Sequence, residues 1–211
     1  MTASVFSRSY PEPVIREAEI LRYARCPQPT CEVLELLHSC IERVRAKLQY
    51  RVCWREFPVS IQKTRCELGF ATVISRDFAK NMENCDRIIL FAASIGLEID
   101  REIQRAAVLS PAQAVLLQAF GAERVEALCD QFDMEMQTQA QQAGMFTRPR
   151  FSPGYGDLPL SIQPEIFHAL DCSRRLGLTL NASFLMSPTK SVTALIGLGK
   201  QTRPGVPGRR M

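Results

Sequence analysis

The sequence has only two histidines, His38 and His168, and neither has an obvious acid–base partner. General-base chemistry is therefore poorly equipped. G-x-G-x-x-G, Walker, G-x-S-x-G and H-E-x-x-H patterns are all missing, so the sites those motifs build are not indicated. No run of ~18 apolar residues occurs, and no helical membrane span is expected. Residues 1–8 lack the apolar core of a signal peptide, so the expected location is cytoplasmic. The eight cysteines include no C-x-x-C pair, and neither histidine stands beside them at a zinc-like spacing. In a reducing compartment they are expected to act as small buried hydrophobes, with no bound metal.

Basic excess is also absent from most of the chain. The net charge of +4 is supplied by Lys200, Arg203, Arg209 and Arg210, in a terminal stretch without an acid. Residues 1–199 are formally neutral, which argues against nucleic acid as the main partner. The reading is one domain over residues 1–199 and a disordered basic tail over 200–211.

What is present is a mixture of helical and strand periodicities without strict alternation. Residues 1–12 read as a loose arm and 14–23 as a short helix. Thr30 starts a helix to about Leu48, with Val33, Leu37, Cys40, Ile41, Val44 and Leu48 on one stripe. Segments 51–59 and 67–74 read as strands, 75–84 as a short capped helix, and 87–93 as a central strand because its apolar run is nearly continuous. A helix over 97–109 is followed by one that Ser110 and Pro111 start and Gly144 stops. A further helix ends at Gly177. Strands over 178–186 and 191–198 are joined by a hairpin at 187–190. The class is α+β: a largely antiparallel twisted sheet with flanking helices.

Two features carry chemistry. Arg150-Phe151-Ser152-Pro153-Gly154-Tyr155-Gly156 sets a fixed cation, a tight turn and a phenol close together. A guanidinium grips a planar carboxylate in bidentate fashion, and a Pro-Gly turn offers backbone groups to a ligand. Arg150 serves equally as a structural partner for a carboxylate of the protein. On the long helix, Val115, Ala119, Ala122 and Glu126 follow one line. Glu126 either marks where that face meets water, as Asp130 and Asp133 on the same side suggest, or points into a cleft.

These residues resemble the activation domain of cobalamin-dependent methionine synthase. Arg150, Gly154 and Tyr155 match its R-x-x-x-G-Y-P pattern, with Gly156 in the Pro position. Ser183, Phe184, Met186, Pro188, Ser191 and Val192 match its S-F-x-M-x-P-x-x-S-V-S, with Thr193 last. Phe91 to Gly96 is similar to the strand and turn before its long helix. The resemblance covers about Asp86 to Gly199. The stand-alone activation proteins of bacteria share the S-P-G-Y-G-D of Ser152 to Asp157.

The resemblance implies binding of S-adenosylmethionine. Arg150 would hold the methionine carboxylate, the backbone around Ser152 would contact the adenine or ribose, Gly154 would belong to the same binding turn, Tyr155 would orient the methionine part near the sulfonium, and Glu126 would balance the ammonium. The family's N-terminal Asp has no counterpart placed in this sequence, and residues 141–148 hold no second acid. The implied activity is reactivation in trans: reductive methylation of cob(II)alamin on a separate cobalamin-dependent methionine synthase, with a flavodoxin-type protein as electron donor. Methyl transfer of this kind needs alignment, with no acid or base. Two alternatives stand beside it. One is an adaptor that docks on a corrinoid protein without binding the nucleoside. The other is a reactivation factor for a different corrinoid methyltransferase system.

Overall fold

The computed structural model describes residues 4–200. In chain order these form β1 (Phe6–Ser9), α1 (Glu17–Tyr23), α2 (Cys31–Val44), β2 (Arg51–Pro58), β3 (Ser60–Gln62), β4 (Arg65–Glu67), β5 (Thr72–Ile74), α3 (Arg76–Asn81) and β6 (Arg87–Ser94). There follow α4 (Glu98–Leu109), α5 (Pro111–Gln142), β7 (Met145–Thr147), α6 (Gln163–Leu170), α7 (Cys172–Leu176), β8 (Thr179–Leu180), β9 (Met186–Ser187) and β10 (Ser191–Lys200).

The main sheet is antiparallel, in the order β1-β2-β6-β10-β7. β6 is central, with Ala92 opposite Cys53 on one side and Thr193 on the other. Its apolar run is buried on both faces, as helices on both sides require. Strand alternation sorts the side chains into two cores. Ile89, Phe91 and Ala93 pack with Val52, Ala194, Ile196 and helices α1, α2, α4 and α5. Ile88, Leu90 and Ala92 pack with Phe78, Phe151, Leu195 and helices α3, α6 and α7. The α+β class and the flanked antiparallel sheet are as the sequence indicates.

α5 is the scaffold of the site. Ser110 accepts a hydrogen bond from the Gln113 amide (3.5 Å), and Pro111 opens the first turn. Gly144, at φ +69°, ends it. Its 32 residues span about 48 Å at 1.5 Å per residue.

Six local expectations change. The N-terminal arm is not loose: β1 pairs with β2, and Phe6 stacks on Trp54 at 5.5 Å. The segment 67–74 is a hairpin of β4 and β5, because Gly69 turns the chain at φ +76°. The helix ending at Gly177 breaks at Asp171, whose φ is +53°. Within the stretch 178–186 only β8 and Met186, the first residue of β9, are strand. Asn181 Oδ1 accepts from the Ser183 and Leu185 amides (2.9 and 3.0 Å) and turns the chain back toward β9. β10 pairs with β6 and β7, not with β9, so residues 187–190 form no hairpin. Asp100 instead holds Thr189 through its amide (2.7 Å) and its hydroxyl. Lys200, placed in the tail by composition, ends β10. The rest of that tail lies outside the described residues.

Candidate functional site

Arg150 is positioned by the edge of the sheet. Residues 145–151 run along the outer side of β10. Thr147 opposes Leu198, the Arg148 amide donates to Gly197 (2.9 Å), and Phe151 exchanges two 2.9 Å bonds with Leu195. Phe151 enters the core that contains Phe78 and Leu158. Arg150, its neighbour on an extended chain, turns the other way and meets α5.

There it finds three carboxylates. Glu126, Asp130 and Asp133 follow each other at steps of four and three and share one helix face. Arg150 Nη2 donates to Glu126 Oε2 (2.7 Å). Nη1 donates to Asp130 Oδ1 (3.0 Å) and to Asp133 Oδ2. The guanidinium is 24% exposed. Arg16, from the arm, donates to the other oxygen of Asp130 at 2.7 Å. Two guanidinium groups thus face three carboxylates, an excess of one negative charge.

The environment tunes these groups differently. Burial alone would raise Asp130, but bonds from Arg16 and Arg150 outweigh it and hold the carboxyl below the usual range. For Asp133 burial wins, and the group is raised despite Arg150. Burial would lower Arg150, yet Asp133 and Asp130 leave it firmly charged, above its ordinary value. Beneath them Cys129 is fully buried, which pushes its thiol far up and makes it unreactive. Asp133 Oδ1 is buried and has no hydrogen-bond partner among the described residues.

Three crevices open around this cluster. The largest, about 680 Å3, lies between α5 and the arm, lined by Pro13, Val14, Arg16, Asp130, Gln131 and Asp133 among others. Another of about 190 Å3 is bounded by Arg16, Tyr23, Glu126 and Arg150. The last, about 220 Å3, lies beside Asp133, Arg148, Pro149 and Arg150.

The arm forms a wall because it is laced to α5. The Tyr10 hydroxyl donates to Glu135 (2.6 Å), and Arg8 pairs with the same carboxylate. Arg124, fully buried, donates to the carbonyls of Pro13 (2.7 Å) and Val14 (2.9 Å) and to both oxygens of Glu123 (2.5 and 2.6 Å).

Of the residues singled out by sequence, Arg150 and Glu126 are brought into contact. Ser152, Gly154 and Tyr155 line none of the three crevices. Their turn is closed on itself: the Tyr155 amide donates to Ser152 (3.1 Å), and the Gly154 amide, at φ +86°, donates to Leu158 (2.9 Å). Those two amides are used within the turn. Tyr155 is exposed, with its ring edge-on to Phe151 at 5.2 Å. Asp157 anchors the turn by accepting from the Arg76 amide (2.7 Å), the Asp77 amide (3.2 Å) and the Ser75 hydroxyl.

Sequence reasoning missed Arg16 and gave Asp130 and Asp133 only to solvent. Their spacing from Glu126 was the available signal. In the downstream motif, Ser191 bonds Ser94 (2.9 Å) and Thr193 bonds Gln163 (3.0 Å), both internal ties. His38 pairs with Glu17 (2.7 Å) on the surface, and His168 is exposed. Among the described residues no group of His, Cys, Asp or Glu is placed to hold a metal ion, and no helix is long and apolar enough to cross a membrane.

No family model matches the sequence, and none of the curated proteins does. Among solved structures, the crystal structure of the MetH reactivation domain bound to AdoHcy is similar, with a TM-score of 0.62 and 14% sequence identity. The match covers 97% of this chain and 82% of that one. The likeness speaks for architecture and not for chemistry: this chain has the fold of the MetH reactivation domain.

Proposed function

We propose that the chain binds S-adenosylmethionine beside Arg150 and presents its methyl group to the corrinoid of a separate protein. The observation that carries this reading is the cluster of Arg150 with Glu126, Asp130 and Asp133, half-open to crevices, in a fold whose solved relative holds AdoHcy.

The residues present fit such a ligand. Its amino-acid end carries a carboxylate and an ammonium; the cluster offers a guanidinium for the first and carboxylates for the second. Its sulfonium adds one positive charge, which matches the one negative charge in excess. The largest crevice, about 680 Å3, is within the range that small-molecule sites occupy. The orphaned Asp133 Oδ1 is an acceptor without a donor, as a site for a donor-bearing ligand requires.

When bound, S-adenosylmethionine supplies an electrophilic methyl group. One electron from a flavodoxin-type donor and this methyl together would return a stalled cob(II)alamin to its methylated form, with AdoHcy leaving. The chain's own part is positional. Arg150 and Glu126 fix the amino-acid end against the rigid α5, and the arm limits water on one side. The turn from Ser152 to Tyr155 stands beyond Arg150 at the sheet edge, where the nucleoside would run. No residue need move a proton, consistent with the surface positions of both histidines.

The test is calorimetry with S-adenosylmethionine and AdoHcy, followed by mixing with a cob(II)alamin-bearing methionine synthase and a one-electron reductant. Binding of both nucleosides and ligand-dependent loss of the cob(II)alamin spectrum are expected. Absence of binding at millimolar ligand would refute the reading. One observation favours a second reading, an adaptor that docks on a corrinoid protein without the nucleoside: both terminal nitrogens of Arg150 already hold protein carboxylates. Capture of the corrinoid protein by a chain that binds neither nucleoside would establish it.

A further inference from the structure

Asp130 and Asp133 take both protons of Arg150 Nη1, and Glu126 takes one of Nη2. A carboxylate that grips both terminal nitrogens end-on must therefore displace one of the two Nη1 partners, Asp130 or Asp133. The one displaced is left charged and half-buried, and a charge without a partner there is costly. A ligand that brings only a carboxylate therefore worsens the local balance. A zwitterionic amino acid brings its own remedy, because its ammonium sits on the carbon next to its carboxylate and arrives where the displaced group is released.

Asp133 is the residue suited to that exchange. Asp130 is held twice, by Arg16 at 2.7 Å and by Arg150 at 3.0 Å, so losing Arg150 leaves it paired. Among the described residues Asp133 has no second cation: Oδ2 meets Arg150, and the buried Oδ1 meets nothing. It lines both the crevice of about 680 Å3 and the one of about 220 Å3. Gln131, on the wall of the larger crevice, also has an unpartnered buried oxygen, Oε1, so that crevice has acceptors to spare. In the structure Arg150 does not supply those oxygens. A primary ammonium, with three donors, can.

We propose that Asp133 is the ammonium receptor and specificity-determining residue of this site: it yields Arg150 to the ligand's carboxylate and takes the adjacent ammonium. The inference rests on the reading under Proposed function and makes the site selective for a free α-amino acid end. A nucleoside thioether without that end gains nothing from Asp133.

The experiment is calorimetry of the full chain and its Asp133→Asn and Asp133→Glu variants with two ligands, S-adenosylmethionine and 5′-methylthioadenosine. The second shares the nucleoside and sulfur but lacks the amino acid. Asp133→Asn is expected to weaken S-adenosylmethionine at least about tenfold, the equivalent of one charge-assisted hydrogen bond. It should leave 5′-methylthioadenosine unchanged, and Asp133→Glu should recover part of the loss. Affinity of Asp133→Asn for S-adenosylmethionine within about twofold of wild type, an energy too small for a charge-assisted bond, overturns the inference and leaves the proposed function standing. Equal losses for both ligands also overturn it, since they report a distorted crevice. If wild type binds S-adenosylmethionine at neither low nor millimolar concentration, the proposed function fails, and this inference with it. Should Asp133→Asn not fold, Asp133→Glu alone decides, because a displaced carboxylate must change the ratio of the two affinities.

Discussion

α5 carries two ionic clusters one turn apart, and they are built on opposite plans. Glu123 and Arg124 are fully buried, and Arg124 spends its donors on Glu123 and on two carbonyls of the arm. Glu126, Asp130, Asp133 and Arg150 are between 24% and 40% exposed, three acids share one guanidinium, and one acid oxygen has no partner. The first cluster is closed and satisfied, so any change in partners costs stability. The second is open and over-supplied with acceptors, so partners can be exchanged. Position along the helix does not distinguish them; what does is whether the hydrogen bonding is complete.

Substitutions should separate the two plans. The largest effect is expected for Arg124→Met. It leaves Glu123 charged in the core and frees the arm, and unfolding free energy should fall by about 3–5 kcal/mol, read by urea titration. A loss below ~1 kcal/mol would erase the contrast, since that is the value of an ordinary surface pair. Next comes Arg150→Ala. Affinity for S-adenosylmethionine should fall by at least about 2 kcal/mol, or about 30-fold, by calorimetry. Equal affinity of wild type and variant would remove Arg150 from the site.

A subtler outcome is expected for the stability of Asp133→Asn. Burial holds the folded carboxyl above its ordinary value. Its contribution is therefore greatest below the ordinary aspartate range and is lost as pH rises through the raised value. The neutral isostere should melt no lower than wild type at pH 7, and any advantage should vanish toward acidic pH. Asp157 runs the other way. The Ser75 hydroxyl depresses it most; desolvation opposes, and the Arg76 and Asp77 amides add to the lowering. Its contribution is present above the ordinary aspartate range and is lost as pH falls through the depressed value, so Asp157→Asn should narrow the acid limb of a melting profile. An unchanged acid limb would show that the turn is held by other contacts.

The smallest effect is expected at Tyr155, whose exposed ring leans on Phe151. Tyr155→Ala should weaken S-adenosylmethionine by about 0.5–1.5 kcal/mol, the scale of one aromatic contact. A loss matching that of Arg150→Ala would move the centre of the site to the turn, and no loss would remove the turn from it.

The central strand, the long helix and the antiparallel class were legible in the sequence because each rests on a long, regular apolar pattern. β6 reads as buried on both faces, and α5 carries its own start and stop. β1 was hidden: four exposed residues with no alternation become a strand only because β2 offers them an edge. The hairpin expected at 187–190 failed because Asp100, nearly ninety residues away, holds Thr189. In the site, the contact of Arg150 with Glu126 was within reach of pattern reasoning. Arg16 was not, since the periodicity of the short helix read over 14–23 does not say which element it packs against. Asp130 and Asp133 were seen on the right face and assigned to water, because spacing gives direction but not what stands opposite.

The lacing of the arm onto α5 ties ligand capacity to the integrity of the first sixteen residues. Cutting the backbone after Arg16 would free a wall of the main crevice, loosen the cap on Glu123 and uncouple Arg16 from Asp130 in a single event. Resistance to trypsin at that bond, compared with and without nucleoside, would thus report occupancy without any label on the ligand.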